Sequence, residues 1–258
     1  MSLTKNTVTV TNISDLSSTP NATEGLTAAQ LQARFDKSSL DHKTYINDVL
    51  TVEQDAINTT IETRTSSGWI ATTGAYASAT TITVASGAAA KYRKGDKIKL
   101  TQTTVKYFSI IGVADTVLTV TGGSDYSVAD AAITDMYYSH EATPIGFPTY
   151  FNYTPTVTAS SGTLTTTSAS AKFTVVNGFC MITGSTTITN KGTASGTLNT
   201  SLPVANAAAS VGSGRENAAT GVMVQILAET NLAKYYKYDG STVIVDGYTI
   251  LYALTYNI

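Results

Sequence analysis

The sequence predicts a mainly β protein with one N-terminal helix, assembled as an elongated oligomer with a stalk and a head. Three observations carry this expectation. Leu26 to about Glu62 is one uninterrupted helix-like run, and from Trp69 onward the pattern changes to a period of two with turn residues between segments. Only 13% of the 258 residues are charged while 42% are hydrophobic, so uncharged Thr and Ser make up the difference. Disorder normally combines low hydrophobicity with high net charge, whereas Thr, Val and Tyr suit a pleated, half-buried surface. A lone helix of this length has nothing within the chain to bury against, which predicts partners, most simply copies of itself.

Taken in order, residues 1–25 form an N-terminal segment with a short alternation, Thr7-Val8-Thr9-Val10, and a Ser/Thr/Pro-rich lead ending in Pro20-Asn21. Residues 26–67 form the helical stalk. Thr27 with Gln30 three residues later has the form of a capping box. Leu31, Phe35, Ile46, Leu50, Ile57 and Ile61 are its candidate oligomerisation residues, with Tyr45 and Val49 nearby. Their repeat breaks near Ser38, Ser39 and His42, so a short bundle fits better than a perfect coiled coil.

Residues 68–141 read as a small β-domain. Thr81-Ile82-Thr83-Val84, Lys97-Ile98-Lys99-Leu100 and Val117-Leu118-Thr119-Val120 alternate between turns at Ser86-Gly87, Lys94-Gly95-Asp96 and Gly122-Gly123. Pro144, Gly146, Pro148 and Pro155 then read as a linker. Residues 142–258 carry strands at 172–176, 179–182, 221–228, 232–238, 241–245 and 248–255, and predict a β-sandwich, jelly-roll-like head. Asp239-Gly240 has the form of a two-residue hairpin turn that sets Tyr236 opposite Val243 and Tyr235 opposite Ile244.

Several function classes lack support. The net charge of −2 offers no general attraction to nucleic acid, and the basic cluster from Lys91 to Lys106 comes with no binding motif and is followed by acidic residues. No apolar stretch approaches the length that spans a bilayer, and MSLTKNTVTV lacks the basic and apolar regions of a signal peptide. Cys180 is the single cysteine, so cytoplasmic folding without a disulfide is expected. It lies in an apolar strand and reads as core. His42 and His140 are the only histidines and neither sits in a nucleophile context, so no catalytic residue is predicted. No metal cluster or cofactor motif is present, and Gly212-Ser213-Gly214-Arg215 fails the spacing of a phosphate loop.

Between Pro144 and Ile258 charge is sparse. Such a surface is either buried between subunits or presents hydroxyls and amides to a neutral polar ligand. Tyr235, Tyr236 and Tyr238 beside Asp239 are candidate sugar contacts, since aromatic faces stack on sugars and a carboxylate accepts sugar hydroxyls. Ordinary strand packing remains the competing account of these tyrosines. Arg215 and Asn217, read as part of an exposed loop, are further candidates.

The segment Pro20-Asn21-Ala22-Thr23-Glu24-Gly25-Leu26-Thr27-Ala28-Ala29-Gln30-Leu31-Gln32-Ala33-Arg34-Phe35-Asp36 resembles the N-terminal part of tail-fibre and receptor-binding (baseplate) proteins from long-tailed phages and prophages of Gram-positive bacteria. Tyr76 to Val84, Tyr92 to Gln102, Val105 to Phe108 and Gly146-Phe147-Pro148 look like the β-domain that follows there. The resemblance covers roughly the first half of the chain. It implies a homotrimer at the virion tail tip, assembled in the host cytoplasm, with residues 1–25 docking to other tail or baseplate proteins. Its head would bind host cell-wall polysaccharide for host-cell adhesion, with no enzymatic activity. Two alternatives stay open: a structural baseplate or adaptor subunit without receptor binding, and a polysaccharide depolymerase using carboxylates among Glu216, Glu229, Asp239 and Asp246.

Overall fold

The computed structural model describes residues 27–258, without the side chains at 28, 31, 34, 38 and 63–66. The expected virion-attachment segment 1–25 and the side chain of Leu31 lie outside the described residues. The protein is mainly β, with one long helix and two antiparallel sheets consistent with a β-sandwich class. Its described residues divide into two compact units, 27–66 and 67–258.

The first unit is helical: α1 (Ala28–Tyr45), a π-helical turn (Ile46–Leu50) and α2 (Thr51–Ser67) follow without interruption. The capping box forms: Thr27 Oγ1 accepts from Gln30 N at 3.3 Å, and Gln30 Oε1 accepts from Thr27 N at 2.8 Å. Two of the orphan N–H groups of the first turn are thereby satisfied. None of the helix's described side chains is buried.

The π turn bears on the broken repeat. Thr51 donates through both its N–H and its Oγ1 to the carbonyl of Ile46, the latter at 2.7 Å. At roughly 100° per residue, Phe35, Ile46, Leu50, Ile57 and Ile61 would fan across about 80° of a regular helix. A π turn winds less per residue and gathers Leu50, Ile57 and Ile61 back beside Phe35 and Ile46, narrowing the fan to about 50°. The phase adjustment falls at Ile46–Leu50, after the polar interruption at Ser38–His42.

In the second unit, β1 (Ile70–Thr72), β2 (Ala75–Ser78), β3 (Thr81–Thr83), β4 (Lys97–Thr101), β5 (Val105–Val113), β6 (Val117–Thr121) and β7 (Asp135–Ser139) form one antiparallel sheet in the order β1-β7-β4-β5-β6-β3-β2. Its two edge strands are consecutive in the chain, joined only by Thr73-Gly74. Two residues cannot cross an open sheet, so the sheet wraps into a barrel. A Cβ on Gly74 would meet Met136 Sδ at 2.7 Å and Ile82 Cγ2 at 2.8 Å, so only glycine closes this seam. Ile82, Ile98, Leu100, Phe108, Ile110 and Leu118 fill the interior.

The remaining strands are β8 (Phe151–Tyr153), β9 (Val157–Ser161), β10 (Thr166–Val176), β11 (Phe179–Asn190), β12 (Ser195–Ser201), β13 (Ser210–Glu216), β14 (Met223–Glu229), β15 (Leu232–Lys237) and β16 (Thr249–Asn257). They form a second sheet in the order β8-β10-β11-β16-β13-β14-β15-β12-β9. It rolls over itself: Tyr153 Oη on edge strand β8 donates to the Ser201 carbonyl on β12 at 2.8 Å. One core results, built on Phe173, Val175, Ile182, Ile226, Tyr235 and Leu254. The long β10–β11 hairpin turns at Asn177-Gly178, both with positive φ, as a two-residue turn matching strand twist requires.

Three expectations are corrected. Residues 241–245 are not a strand, so the Asp239-Gly240 hairpin does not form. Tyr235 pairs with Ile226 and Leu198, and Tyr236 with Gln225, because β15 lies between β14 and β12. Asp239 Oδ1 accepts from Ser241 N and Oγ and turns the chain aside, and Val243 and Ile244 plug the core as loop residues. Next, Gly212–Glu216 is strand, not exposed loop: Gly212 and Gly214 face the tightly packed interior and Ser213 and Arg215 face out.

The third correction concerns the stretch from Pro144 to Pro155 read as a linker: its side chains Pro144, Phe147 and Phe151 pack inward, and barrel and roll belong to one compact unit. Phe147 sits among Trp69 (ring centroids 6.3 Å apart), Tyr107 (6.0 Å) and Phe151 (5.6 Å). The Trp69 indole N–H donates to the Ile145 carbonyl at 2.8 Å. Asp125 accepts from both Asn152 N (2.7 Å) and Asn152 Nδ2 (2.8 Å). Between the two sheets lies the fully buried Lys97, whose ammonium donates to the Val175 carbonyl and stands 5.1 Å from the Phe147 ring centroid.

Candidate functional site

Sheet register determines which side chains share the roll's outer surface. Lys172 pairs with Thr183, Thr183 with Ala253, Ala253 with Ser213, Ser213 with Gln225, and Gln225 with Tyr236. Their chain neighbours Phe173, Ile182, Leu254, Gly214, Val224 and Tyr235 are buried, so this row faces outward. A second outward row runs Ser170, Ser185, Leu251, Arg215, Met223. At strand spacing the first row extends roughly 24 Å across six strands. Its chemistry is hydroxyl, amide, methyl and one phenol. Lys172 and Arg215 are the only charges in the two rows, and neither row contains a carboxylate.

At the β10–β11–β16 end this face opens into a cavity of about 270 Å³ lined by Asn152, Ser170, Ala171, Lys172, Thr183, Gly184, Ser185 and Leu251. Lys172 Nζ donates to Tyr150 Oη at 2.9 Å and lies 4.0 Å from that ring's centroid, which holds the long side chain in place. Asn152 is held by Asp125 as described, and its backbone carbonyl accepts from Ser124 N, which leaves the side-chain Oδ1 as an acceptor. Ser170 Oγ and Ser185 Oγ lie 3.4 Å apart, a long contact between hydroxyls.

The predicted contacts divide. Tyr236 and Arg215 lie on the common outer face. Tyr238 is 89% exposed just past the end of β15, followed by exposed Asp239, whose carboxyl is held below its ordinary value by the Ser241 hydroxyl and N–H. Asn217 is exposed and donates its backbone N–H to Thr249 O at 2.7 Å. Tyr235 is not a surface contact. It is 1% exposed, its hydroxyl lies 3.0 Å from Thr200 Oγ1, its ring meets Tyr252 edge-on, and burial pushes its phenol well up. Strand alternation sends it inward.

Sequence reasoning missed Lys172, Ser170, Thr183, Ser185 and Gln225. The signal present was small hydroxyl residues alternating with apolar ones along Ser168–Phe173 and Ile182–Thr187, which marks a strand face that is neither core nor charged surface.

The candidate carboxylates are engaged one by one. Glu216 is buried and accepts from a run of backbone N–H groups, Glu229 pairs with Lys234 at 2.8 Å, and Asp246 accepts from Lys191 N. Glu216 and Glu229 stand at opposite ends of β14, roughly 20 Å apart by strand rise. Burial pushes the Cys180 thiol up to about 12, in keeping with a core residue. His140 Nδ1 lies 2.9 Å from Asp96 Oδ2. Among the described residues no group of three His, Cys, Asp or Glu side chains could hold a metal ion, and no helix is long and apolar enough to cross a membrane.

No protein-family profile matches the chain, and no curated protein and no solved structure matches it either.

Proposed function

We propose that this chain is the receptor-binding protein of a long-tailed phage or prophage tail, a homotrimer that attaches the virion to host cell-surface saccharide. The observation that carries the reading is the outer face of the roll: two rows of hydroxyls, one amide, one phenol and the apolar Ala253, Leu251 and Met223, with two cations, no carboxylate and an adjoining cavity. Sugars are recognised by such groups, because each ring presents many hydroxyls and a few apolar C–H faces. The resemblance of residues 20–36 to phage tail proteins supports the tail-tip location and a docking role for residues 1–25.

Assembly rests on the helix. Phe35 is 53% exposed, Ile46 51% and Leu50 37%, and the π turn brings them to one seam with Ile57. A seam of this kind matches packing against copies of itself. Light scattering of the full chain is expected to give three times the chain mass, and Phe35→Asp with Ile46→Asp and Ile57→Asp to give the monomer. A monomeric wild type would remove the stalk from the account. Three linked heads raise apparent affinity without new contacts, so weak individual sites suffice.

Incubating the full chain with Gram-positive cell walls tests the function: it is expected to sediment with them and to release no reducing sugar. Release of reducing ends would favour the depolymerase, and no sedimentation with any wall would favour a structural adaptor.

A further inference from the structure

Building on the saccharide reading, we infer that the cavity beside Lys172 is the primary subsite and that it takes one sugar or polyol unit of an anionic polymer, with Lys172 as the charge partner. The space of about 270 Å³ lies below the range for drug-sized ligands and suits a single ring or a short polyol. Ser170, Thr183 and Ser185 offer hydroxyls, Asn152 its oriented side-chain Oδ1, and Leu251, 45% exposed, an apolar floor. Charge selects the class. An ammonium has three donors, and Lys172 directs one to Tyr150 Oη, leaving two for a ligand oxygen.

The carboxylate next to the site, Asp125, is occupied by both N–H groups of Asn152, so it orients that residue. Arg215 is the second cation on the face, three strands and one residue pair away, roughly 16 Å by sheet geometry. A polymer lying across the sheet from Lys172 reaches it, so the anionic groups of a repeating chain meet two fixed cations with no opposing carboxylate between them.

Affinity electrophoresis of the full chain in gels containing poly(glycerol phosphate), polygalacturonate or neutral dextran tests this. The inference predicts retardation by an anionic polymer but not by dextran, and which of the two acts tells phosphate from carboxylate. Lys172→Ala is expected to weaken retardation about tenfold, the loss of one charge-assisted contact. Thr183→Glu abolishes it, Arg215→Ala weakens it less, and Lys237→Ala, off these rows, leaves it unchanged. Equal losses for Lys172→Ala and Lys237→Ala would mean general charge attraction and overturn the site. Retardation by dextran alone, removed by Thr183→Glu, would overturn the anionic class yet support the saccharide reading. No retardation by any polymer overturns the anionic subsite while cell-wall adsorption persists, and overturns the saccharide reading as well where adsorption is also absent.

Discussion

Glu216→Gln is expected to lower the stability of the β unit by about 3 kcal/mol, seen as a melting temperature roughly 6–12 °C lower. The Glu216 carboxylate is fully buried and gathers the loop after β13 around itself: it accepts from the N–H groups of Ala218 (2.6 Å), Ala219 (3.0 Å), Thr220 (2.5 Å) and Gly221 (3.1 Å), and from Thr220 Oγ1 (3.1 Å). Those donors have few other partners in the β13–β14 loop, so a buried anion answers the backbone's need for an acceptor. Burial alone would push this carboxyl up, but the N–H groups of Thr220, Ala218, Gly221 and Ala219 outweigh it and hold the pKa at about 2. Glutamine replaces an acceptor oxygen by an amide whose own hydrogens meet N–H groups.

The pH dependence follows. Because the folded pKa lies below the ordinary 4.5, this contribution is complete above about pH 4.5 and is lost as pH falls through about 2. Melting curves from pH 2 to 7 should show a decline in wild type that is smaller in Glu216→Gln, where Asp115 and Asp239 still titrate. A variant melting within about 1 °C of wild type at pH 7 would mean that the loop is held by something else.

Lys97→Glu is expected to be more damaging still, by at least about 4 kcal/mol, whereas Lys97→Met stays within about 1 kcal/mol of wild type. The ammonium is enclosed between barrel and roll, donating to the Val175 carbonyl, 3.5 Å from Ser109 Oγ and near the Phe147 ring. Glutamate would place an acceptor-only anion against that carbonyl, next to Asp96. Methionine keeps the volume and removes a buried charge. Burial lowers the Lys97 pKa to about 8 against the opposing effect of Asp96, from an ordinary 10.5. The charged form therefore costs the folded state roughly 3 kcal/mol. With the folded pKa below the unfolded one, stability rises between about pH 8 and 10.5 as the unfolded chain retains the proton longer. Urea unfolding across that range should show wild type gaining stability relative to Lys97→Met as pH rises, the tyrosines and Lys99 titrating alike in both. Tolerance of Lys97→Glu within about 1 kcal/mol would contradict the docking of the two sheets around this residue.

Lys97 also shows where sequence reading stops. Lys97-Ile98-Lys99-Leu100 alternates correctly, and Ile98 and Leu100 do face the barrel core. Alternation separates two faces but cannot say that the second is covered, here by the roll. The prolines near 144–155 misled for a similar reason: they mark turns, while Phe147 and Phe151 nearby fill the junction. Local features read well. Thr27 and Gln30 cap the helix because both partners lie within one turn, and the long helix followed by β-structure was evident from periodicity.

The surface was legible only in part. Arg215 and Tyr236 lie on the outer face, Tyr235 points inward, and the cavity beside Lys172 had no signal in local sequence. Its walls come from β8, β10, β11 and β16, brought together by the pairing of Asn152 with Lys172, the β10–β11 hairpin, and the long-range pairing of Thr183 with Ala253 and Ser185 with Leu251. The π turn was invisible for another reason. Sequence showed a repeat interrupted near Ser38, Ser39 and His42, but nothing that marks Ile46–Leu50 as the place where the backbone widens.

The most direct test of saccharide attachment compares adsorption of the intact chain to native Gram-positive cell walls with adsorption to the same walls stripped of polysaccharide by acid. The account predicts retention on the native walls and its loss on the stripped ones. Equal retention on both, which would place the receptor in protein or peptidoglycan, would contradict it.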